Sequence, residues 1–187
     1  MIRITSSMHA IILPGNSKRY NKQGLIDTTK HLEDLFETTT AHYYKHWEGD
    51  SEDETSPIDM EHEVNTLAEE VANKDEFVIV AKSVGTVVTL KTISERGIKP
   101  KKCVFLGFPG VEYAKSQGNF DKWIKDYNVP TLFIQQTNDP FYKFAELEIA
   151  LDTLQLKDFN LIETAGDNHA YDNYEEIEDM VKDFITT

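Results

Sequence analysis

The sequence has little of several features that define common classes of protein. Of its 187 residues only Cys103 is a cysteine, so an internal disulfide is impossible and a reducing compartment is the simpler assignment. Only three of the 19 basic residues are arginines, and 33 acidic residues bring the net charge to −14. A surface of this sign repels phosphate backbones and anionic lipids, so neither nucleic acid nor a membrane is expected as a partner.

Long hydrophobic runs are also missing. No apolar stretch approaches the ~18 residues of a membrane-spanning helix, and residues 1–7 lack a secretory pattern. The sequence therefore predicts a soluble, cytoplasmic protein. Apolar residues make up 40% of the chain and charged residues 28%, which is ordinary for a globular protein, and the length suits a single domain over residues 1–187.

The chain does contain a regular alternation of short β-rich runs and helical patterns. Continuous apolar runs such as residues 77–80 are typical of strands buried on both faces of a sheet. About six strands alternating with six helices predict an α/β fold of three layers, a mostly parallel sheet with helices on both faces. The predicted strands are residues 8–13, 42–47, 77–80, 103–106, 131–134 and 159–162.

The predicted helices follow from the spacing of apolar residues. One helix carries Leu25, Leu32, Leu35 and Phe36 on a single face. Between residues 48 and 63 there are eight acidic residues and no basic one, and residues 48–56 are predicted to be a solvated loop. The other predicted helices begin near residue 57 and cover residues 84–93, 120–127, 141–154 and 174–185.

Two histidines of the second predicted strand raise the question of a metal site. His42 and His46 would share a face of that strand, with His62 or the neighbouring acidic residues as further ligands. No histidine or cysteine spacing typical of a metal centre supports the site. The sequence therefore predicts neither a metal nor a cofactor, and Cys103 within its apolar strand is predicted to be a packing residue.

The residues that follow each strand are the candidate functional residues, because ligands bind at the carboxyl ends of parallel strands. The first predicted strand is followed by Pro14, Gly15, Asn16 and Ser17. A turn here would expose backbone N–H groups that can hold an oxyanion. It lacks the glycine spacing of a dinucleotide site and the lysine of a phosphate-binding loop. The alternative is a simple strand-to-helix turn.

The central strand is followed by a serine between small residues. Residues 81–85 are similar to the pattern Gly-x-Ser-x-Gly, with Ala81 in the first position. A nucleophilic serine on a sharp strand-to-helix turn requires small neighbours, because larger side chains would collide with it. The alternative is that Ser83 only caps the helix. Lys82, beside it, is predicted to extend its ammonium group towards solvent.

An acid and a histidine follow the last two predicted strands. Asp139 precedes Pro140, which also suits the start of a helix, and His169 lies in a polar loop before the last helix. Asp167 and Asp172 flank His169 and are alternative acids. The chain order of Ser83, Asp139 and His169 is that of α/β-hydrolases, and all three would meet at one edge of the sheet.

On these residues the sequence resembles the α/β-hydrolase superfamily over nearly the whole chain. Its compact form is similar to the serine-hydrolase group that includes retinoblastoma-binding protein nine, with local likenesses at residues 14–16, 138–141 and 166–169. The resemblance implies a minimal form of the fold, without an N-terminal hairpin or a lid. It departs from the family at Ala81, where glycine is usual, and in the two residues between Gly166 and His169, where many relatives have none.

The resemblance also implies the roles of individual residues. Ser83 would be the nucleophile, His169 the general base and acid, and Asp139 the residue that orients the histidine. Backbone N–H groups of Val84 and of Asn16 or Gly15 would form the oxyanion hole. Phe108, Phe141 and Tyr171 are candidates for an acyl pocket, although each also suits a hydrophobic core.

The resulting hypothesis is a serine hydrolase that cleaves a small soluble ester or thioester through an acyl-enzyme, with an amide as a further possible substrate. The first alternative is a catalytically silent α/β-hydrolase fold that binds another protein, which the sequence does not identify. A flavodoxin-like or nucleotide-binding domain is the second alternative, but it requires a phosphate loop that the sequence lacks.

Overall fold

A single parallel sheet forms the centre of the computed structural model, which describes residues 6–48 and 57–187. Within these two ranges the sheet has six strands, and every pair of neighbours is parallel. This confirms the predicted α/β class with a parallel sheet. The strands are β1 (Ser6–Leu13), β2 (Phe36–Ala41), β3 (Phe77–Lys82), β4 (Lys102–Leu106), β5 (Thr131–Gln136) and β6 (Phe159–Thr164). Their order across the sheet is β2-β1-β3-β4-β5-β6.

Helices cover both faces of the sheet, as the apolar runs of the strands require. Successive β1 residues alternate between the faces: Ile11 and Leu13 belong to the hydrophobic core on one face of the sheet, whereas Ala10 and Ile12 belong to the core on the other. The predicted three-layer architecture is therefore confirmed. The helices are α1 (Lys18–Leu32), α2 (Met60–Val71), α3 (Val84–Arg96), α4 (Val111–Ser116), α5 (Phe120–Lys125), α6 (Phe144–Thr153) and α7 (Tyr174–Thr186).

The second strand is not where the sequence predicted it. Residues 42–47 form a loop that ends in a 3₁₀ turn, Lys45–Trp47, and β2 is Phe36–Ala41. Phe36, assigned to a helix from its spacing, is the first residue of this strand. Helix α1 ends at Leu32, and the threonine run 38–40, which favours a strand, pairs with β1. His42 and His46 therefore do not share a strand face.

The elements near the sheet's carboxyl edge also differ from the predicted bounds. Gln135 and Gln136, expected to follow the fifth strand, belong to it and are buried. Helix α6 begins at Phe144 instead of residue 141, α5 ends at Lys125, and α4 was not predicted. The connection 107–130 between β4 and β5 contains only the two short helices α4 and α5, so it forms no lid.

The acidic loop predicted at residues 48–56 lies almost wholly outside the described residues. Its neighbour Asp59 caps α2, as its Oδ1 accepts a hydrogen bond from the His62 N–H at 3.1 Å. Among the helices of the described ranges, none is both long and apolar enough to cross a membrane.

Candidate active site

The backbone of Ser83 has an unusual conformation between β3 and α3. Its φ is 52° and its ψ is −123°, in a region that residues other than glycine seldom occupy. The side chain makes no capping hydrogen bond, so the interpretation of Ser83 as a helix cap is wrong. The strained turn instead holds the hydroxyl at the carboxyl edge of the sheet, as a nucleophile elbow requires.

Close packing of α3 against the end of β1 explains why a glycine lies two positions after the serine. A Cβ atom at Gly85 would lie 2.8 Å from Leu13 Cβ and 2.9 Å from Pro14 O. Any side chain at Gly85 would therefore push the helix away from the turn that follows β1. This contact places the start of α3 beside residues 14–17.

An aspartate and a histidine from neighbouring strand ends are joined by a short hydrogen bond. His169 Nδ1 lies 2.6 Å from Asp139 Oδ2, and the Asp139 side chain is fully buried. Because an ionised carboxylate only accepts hydrogen bonds, Nδ1 carries the proton and Nε2 is left as the basic nitrogen. His169 itself has a positive φ of 58°, so its loop, like the serine elbow, is held in a rare conformation.

Asp139 makes three further contacts that keep its carboxylate ionised. Oδ1 accepts from the backbone N–H groups of Phe141 at 2.9 Å and Tyr142 at 3.4 Å, and Oδ2 also accepts from the Tyr171 hydroxyl at 2.8 Å. Burial by itself would raise the pKa of Asp139, but the hydrogen bonds from His169, Phe141 and Tyr171 outweigh it and lower this pKa. Asp139 thus binds the histidine and caps the turn before α6, instead of capping that helix itself.

The end of β4 lies between the serine and the histidine. The Ser83 N–H donates to Leu106 O at 2.9 Å, and a Cβ atom on the next residue, Gly107, would lie 2.9 Å from His169 Cε1. The histidine Nε2 is buried and has no hydrogen-bond partner within residues 6–48 and 57–187. The arrangement leaves a basic nitrogen at the strand end beside the serine elbow.

The architecture is similar to that of several solved hydrolases. Est1E from Butyrivibrio proteoclasticus, solved with ferulic acid, has a TM-score of 0.71 at 15% identity, covering 96% of this chain and 88% of its own. Esterase Pf2001 from Pyrococcus furiosus has a TM-score of 0.71 at 16% identity, covering 99% of this chain and 84% of its own. A lidless α/β serine hydrolase from Xanthomonas campestris has a TM-score of 0.68 at 12% identity, covering 97% of this chain and 82% of its own. The chain has the α/β-hydrolase fold.

At such low identity the likeness shows the α/β-hydrolase fold and leaves the chemistry open. No protein-family model and no curated protein matches the sequence. The resemblance to the group of retinoblastoma-binding protein nine therefore stays a prediction. The roles of individual residues depend on the geometry at the carboxyl edge of the sheet.

The turn at residues 14–17, where the sequence predicts an oxyanion turn, follows β1 directly. Leu13, the last residue of β1, pairs with Ala81 of β3, so the turn begins beside the serine elbow. Val84, the first residue of α3, follows the serine directly. Gly15, Asn16 and Val84, predicted to supply the oxyanion N–H groups, are thus on the two segments that meet at Gly85.

Two glutamines that the sequence did not single out hold the loops of the site. Gln136 Oε1 accepts from the backbone N–H groups of Asn168 at 3.1 Å and His169 at 3.2 Å. Gln135 Oε1 accepts from Phe108 N–H at 2.9 Å, and its Nε2 donates to the Tyr142 carbonyl at 2.5 Å. Polar side chains within a strand that is otherwise buried were the available signal, because such groups need hydrogen-bond partners.

The three aromatic candidates for an acyl pocket occupy different environments. Phe141 is 66% exposed, and its ring centroid lies 4.5 Å from that of His169, so it lines the approach to the histidine. Phe108 is buried against Phe120 and Tyr142 in the core. Tyr171 is buried, and its hydroxyl also accepts from the Gln136 N–H at 2.9 Å, so it supports Asp139.

Lys82 does not extend into solvent as predicted. Its Nζ donates to Asn21 Oδ1 at 3.1 Å, in a small cavity between β3, α1 and the start of α7. Burial lowers the pKa of Lys82 to about 8, although Asp139 and Asp172 partly oppose this change. The lysine therefore ties the elbow strand to α1.

The remaining sequence candidates occupy positions outside the Asp139–His169 pair. Asp167 and Asp172 are exposed, and Nδ1 of the histidine is already bonded to Asp139. His42 contacts two glutamates of α2, whereas His46 contacts the Asn16 carbonyl oxygen. Cys103 is fully buried in β4, as predicted, and burial raises the pKa of its thiol to about 12.

Proposed function

We propose that the protein is a serine hydrolase that cleaves small soluble esters or thioesters through an acyl-enzyme. The observation that carries this proposal is the buried Asp139–His169 pair, at the same sheet edge as the strained Ser83. Two solved proteins with this fold support the same class of reaction: one is an esterase, and the other was solved with bound ferulic acid.

The reaction follows from the protonation of the histidine. As Ser83 Oγ attacks the acyl carbon, its proton passes to His169 Nε2, and Asp139 stabilises the resulting imidazolium. The negative charge on the tetrahedral oxygen is held by N–H groups of Val84 and of Asn16 or Gly15. The histidine then protonates the departing alcohol or thiol, and water releases the acid by the same steps.

The open surroundings of the site support small, soluble substrates. Two short helices separate β4 from β5, and the exposed Phe141 ring next to His169 offers an apolar contact for an acyl or aromatic group. The charge of −14 disfavours polyanionic substrates.

Labelling with a fluorophosphonate probe tests the proposal. The probe should form a covalent adduct with the native protein, with loss of fluoride, and the adduct should be absent from Ser83→Ala. Ser116→Ala, an exposed serine on α4, is the matched control and should label like the native protein. A folded native protein that neither labels nor hydrolyses p-nitrophenyl esters would contradict the proposal and favour the silent, protein-binding alternative.

A further inference from the structure

The carbonyl groups of the turn after β1 are held by side chains from the loop that follows β2. The Tyr44 hydroxyl donates to Pro14 O at 2.7 Å, and this bond is buried. Trp47 Nε1 donates to Asn16 O at 2.8 Å, and His46 Nε2 approaches the same oxygen at 2.9 Å. Because a carbonyl oxygen only accepts, His46 carries its proton on Nε2.

These contacts determine the direction of the N–H groups in the turn. In a trans peptide the C=O and the N–H point in opposite directions. The hydrogen bond to Pro14 O therefore points the Gly15 N–H away from Tyr44. The hydrogen bonds to Asn16 O likewise point the Ser17 N–H away from His46 and Trp47. The Asn16 N–H belongs to the peptide between these two held peptides, so its freedom to rotate is small.

The donors themselves are rigid. Tyr44 is fully buried and Trp47 is 5% exposed. The Tyr44 ring stacks on His46 with centroids 5.7 Å apart and meets the edge of Trp47 at 5.5 Å. Rings packed in this way lose little further entropy when they hold the turn.

A buried ion-pair network anchors the loop that carries these rings. The Lys45 N–H donates to Glu63 Oε1 at 2.9 Å, and the other oxygen of Glu63 lies 3.1 Å from His42 Nε2. His42 Nδ1 is 2.8 Å from Glu70 Oε2. The loop is therefore attached to α2, and the turn is attached to the loop.

We propose that Tyr44 and Trp47 are positioning residues for the oxyanion hole. They hold the Pro14 and Asn16 carbonyls so that N–H groups of the Gly15–Asn16 segment face the developing oxyanion before substrate arrives. This inference rests on the proposed serine-hydrolase function. It adds a second set of residues, 30 positions or more from the turn along the chain, to those that control the reaction rate.

The sharpest variant is Tyr44→Phe, which removes one hydroxyl and keeps the ring. We expect kcat for a p-nitrophenyl ester to fall about ten- to a hundredfold, because oxyanion donors act on the transition state, while KM changes less than about twofold. The Ki of phenylboronic acid, whose Ser83 adduct places an oxygen in the hole, should rise by the factor by which kcat/KM falls. Trp47→Phe should have a smaller effect, since His46 still holds Asn16 O.

Tyr127→Phe is the matched control. Tyr127 is also buried, and its hydroxyl contacts Thr131 Oγ1 at 2.6 Å at the opposite edge of the sheet. It should lose comparable stability and keep its kcat. Equal kcat values for Tyr44→Phe and Tyr127→Phe, or an unchanged boronate Ki in Tyr44→Phe, would overturn the proposal.

Amide hydrogen exchange separates this inference from the proposed function, because it requires no activity. Exchange of the Gly15, Asn16 and Ser17 amides should be faster in Tyr44→Phe than in the native protein and unchanged in Tyr127→Phe. Native protein that fails to label with fluorophosphonate contradicts the serine-hydrolase proposal. Unchanged exchange of these amides in Tyr44→Phe contradicts the positioning role of Tyr44, whatever the labelling result.

Discussion

At the scale of single residues, the site depends on how fully Asp139 is bonded. One carboxylate oxygen binds His169 and Tyr171, and the other binds two backbone N–H groups of the following turn. The sequence offered Asp139 either as a cap or as the acid of a triad, and the same side chain serves as both turn cap and histidine partner. This is possible because a carboxylate has two oxygens, each with two acceptor positions.

Substitutions should therefore distinguish Asp139 from the acidic residues that flank His169. In Asp139→Asn the amide no longer stabilises an imidazolium, and we expect kcat to fall by about 10³–10⁴, in line with the loss of the acid in serine proteases. Asp172→Asn, three residues after His169 and exposed, should retain kcat within about twofold. Steady-state kinetics with a p-nitrophenyl ester checks both variants, and a comparable loss in Asp172→Asn would refute the assignment.

At the scale of elements, the serine elbow depends on the contact between α3 and the end of β1. The helix begins where β3 ends, so its first turn must pass over Leu13 and Pro14. Without a Cβ atom, Gly85 allows this approach. The elbow and the turn at residues 14–17 are thus positioned by one contact between elements.

A pair of glycine substitutions in helices tests this contact. Gly85→Ala should lower the free energy of unfolding by about 1–3 kcal/mol, because the new methyl group meets backbone and Cβ atoms that cannot move away easily. Gly24→Ala, in α1, has its nearest neighbour, Tyr174 OH, at 3.6 Å and should raise that free energy by about 0.5–1 kcal/mol. Urea denaturation measures both. Equal effects of the two substitutions would show that helix propensity, and not the contact with β1, determines the outcome.

At the scale of the whole molecule, a buried charged group makes stability depend on pH. Both nitrogens of His42 contact glutamate oxygens, so both carry protons. Burial disfavours the imidazolium, but the bonds to Glu63 and Glu70 outweigh burial and raise the pKa of His42 from 6.5 to about 9. Between these values the folded protein keeps a proton that the unfolded chain releases.

The free energy of unfolding should therefore fall as the pH rises from 6.5 through 9. The contribution of His42 is fully present below pH 6.5 and lost above its folded pKa of about 9. It is on the order of 3 kcal/mol at ~1.4 kcal/mol per pH unit. Urea denaturation at pH 6, 7.5 and 9.5 should show this slope in the native protein and in His62→Gln, a half-buried histidine on α2, but not in His42→Gln. An unchanged slope in His42→Gln would assign the pH dependence to other groups.

The sequence by itself determined the parallel α/β sheet and showed that the candidate residues follow its strands. Apolar strand runs and helical spacing are local patterns, and Ser83, Asp139 and His169 were predicted as site residues from their positions relative to them. Only the tertiary structure decided where β2 begins. It alone also decided that Asp139 binds the histidine and that the Tyr44 hydroxyl donates to the turn after β1. These features depend on contacts between residues about 30 positions apart. Such contacts form only when the strands are aligned, so the local spacing of side chains does not determine them.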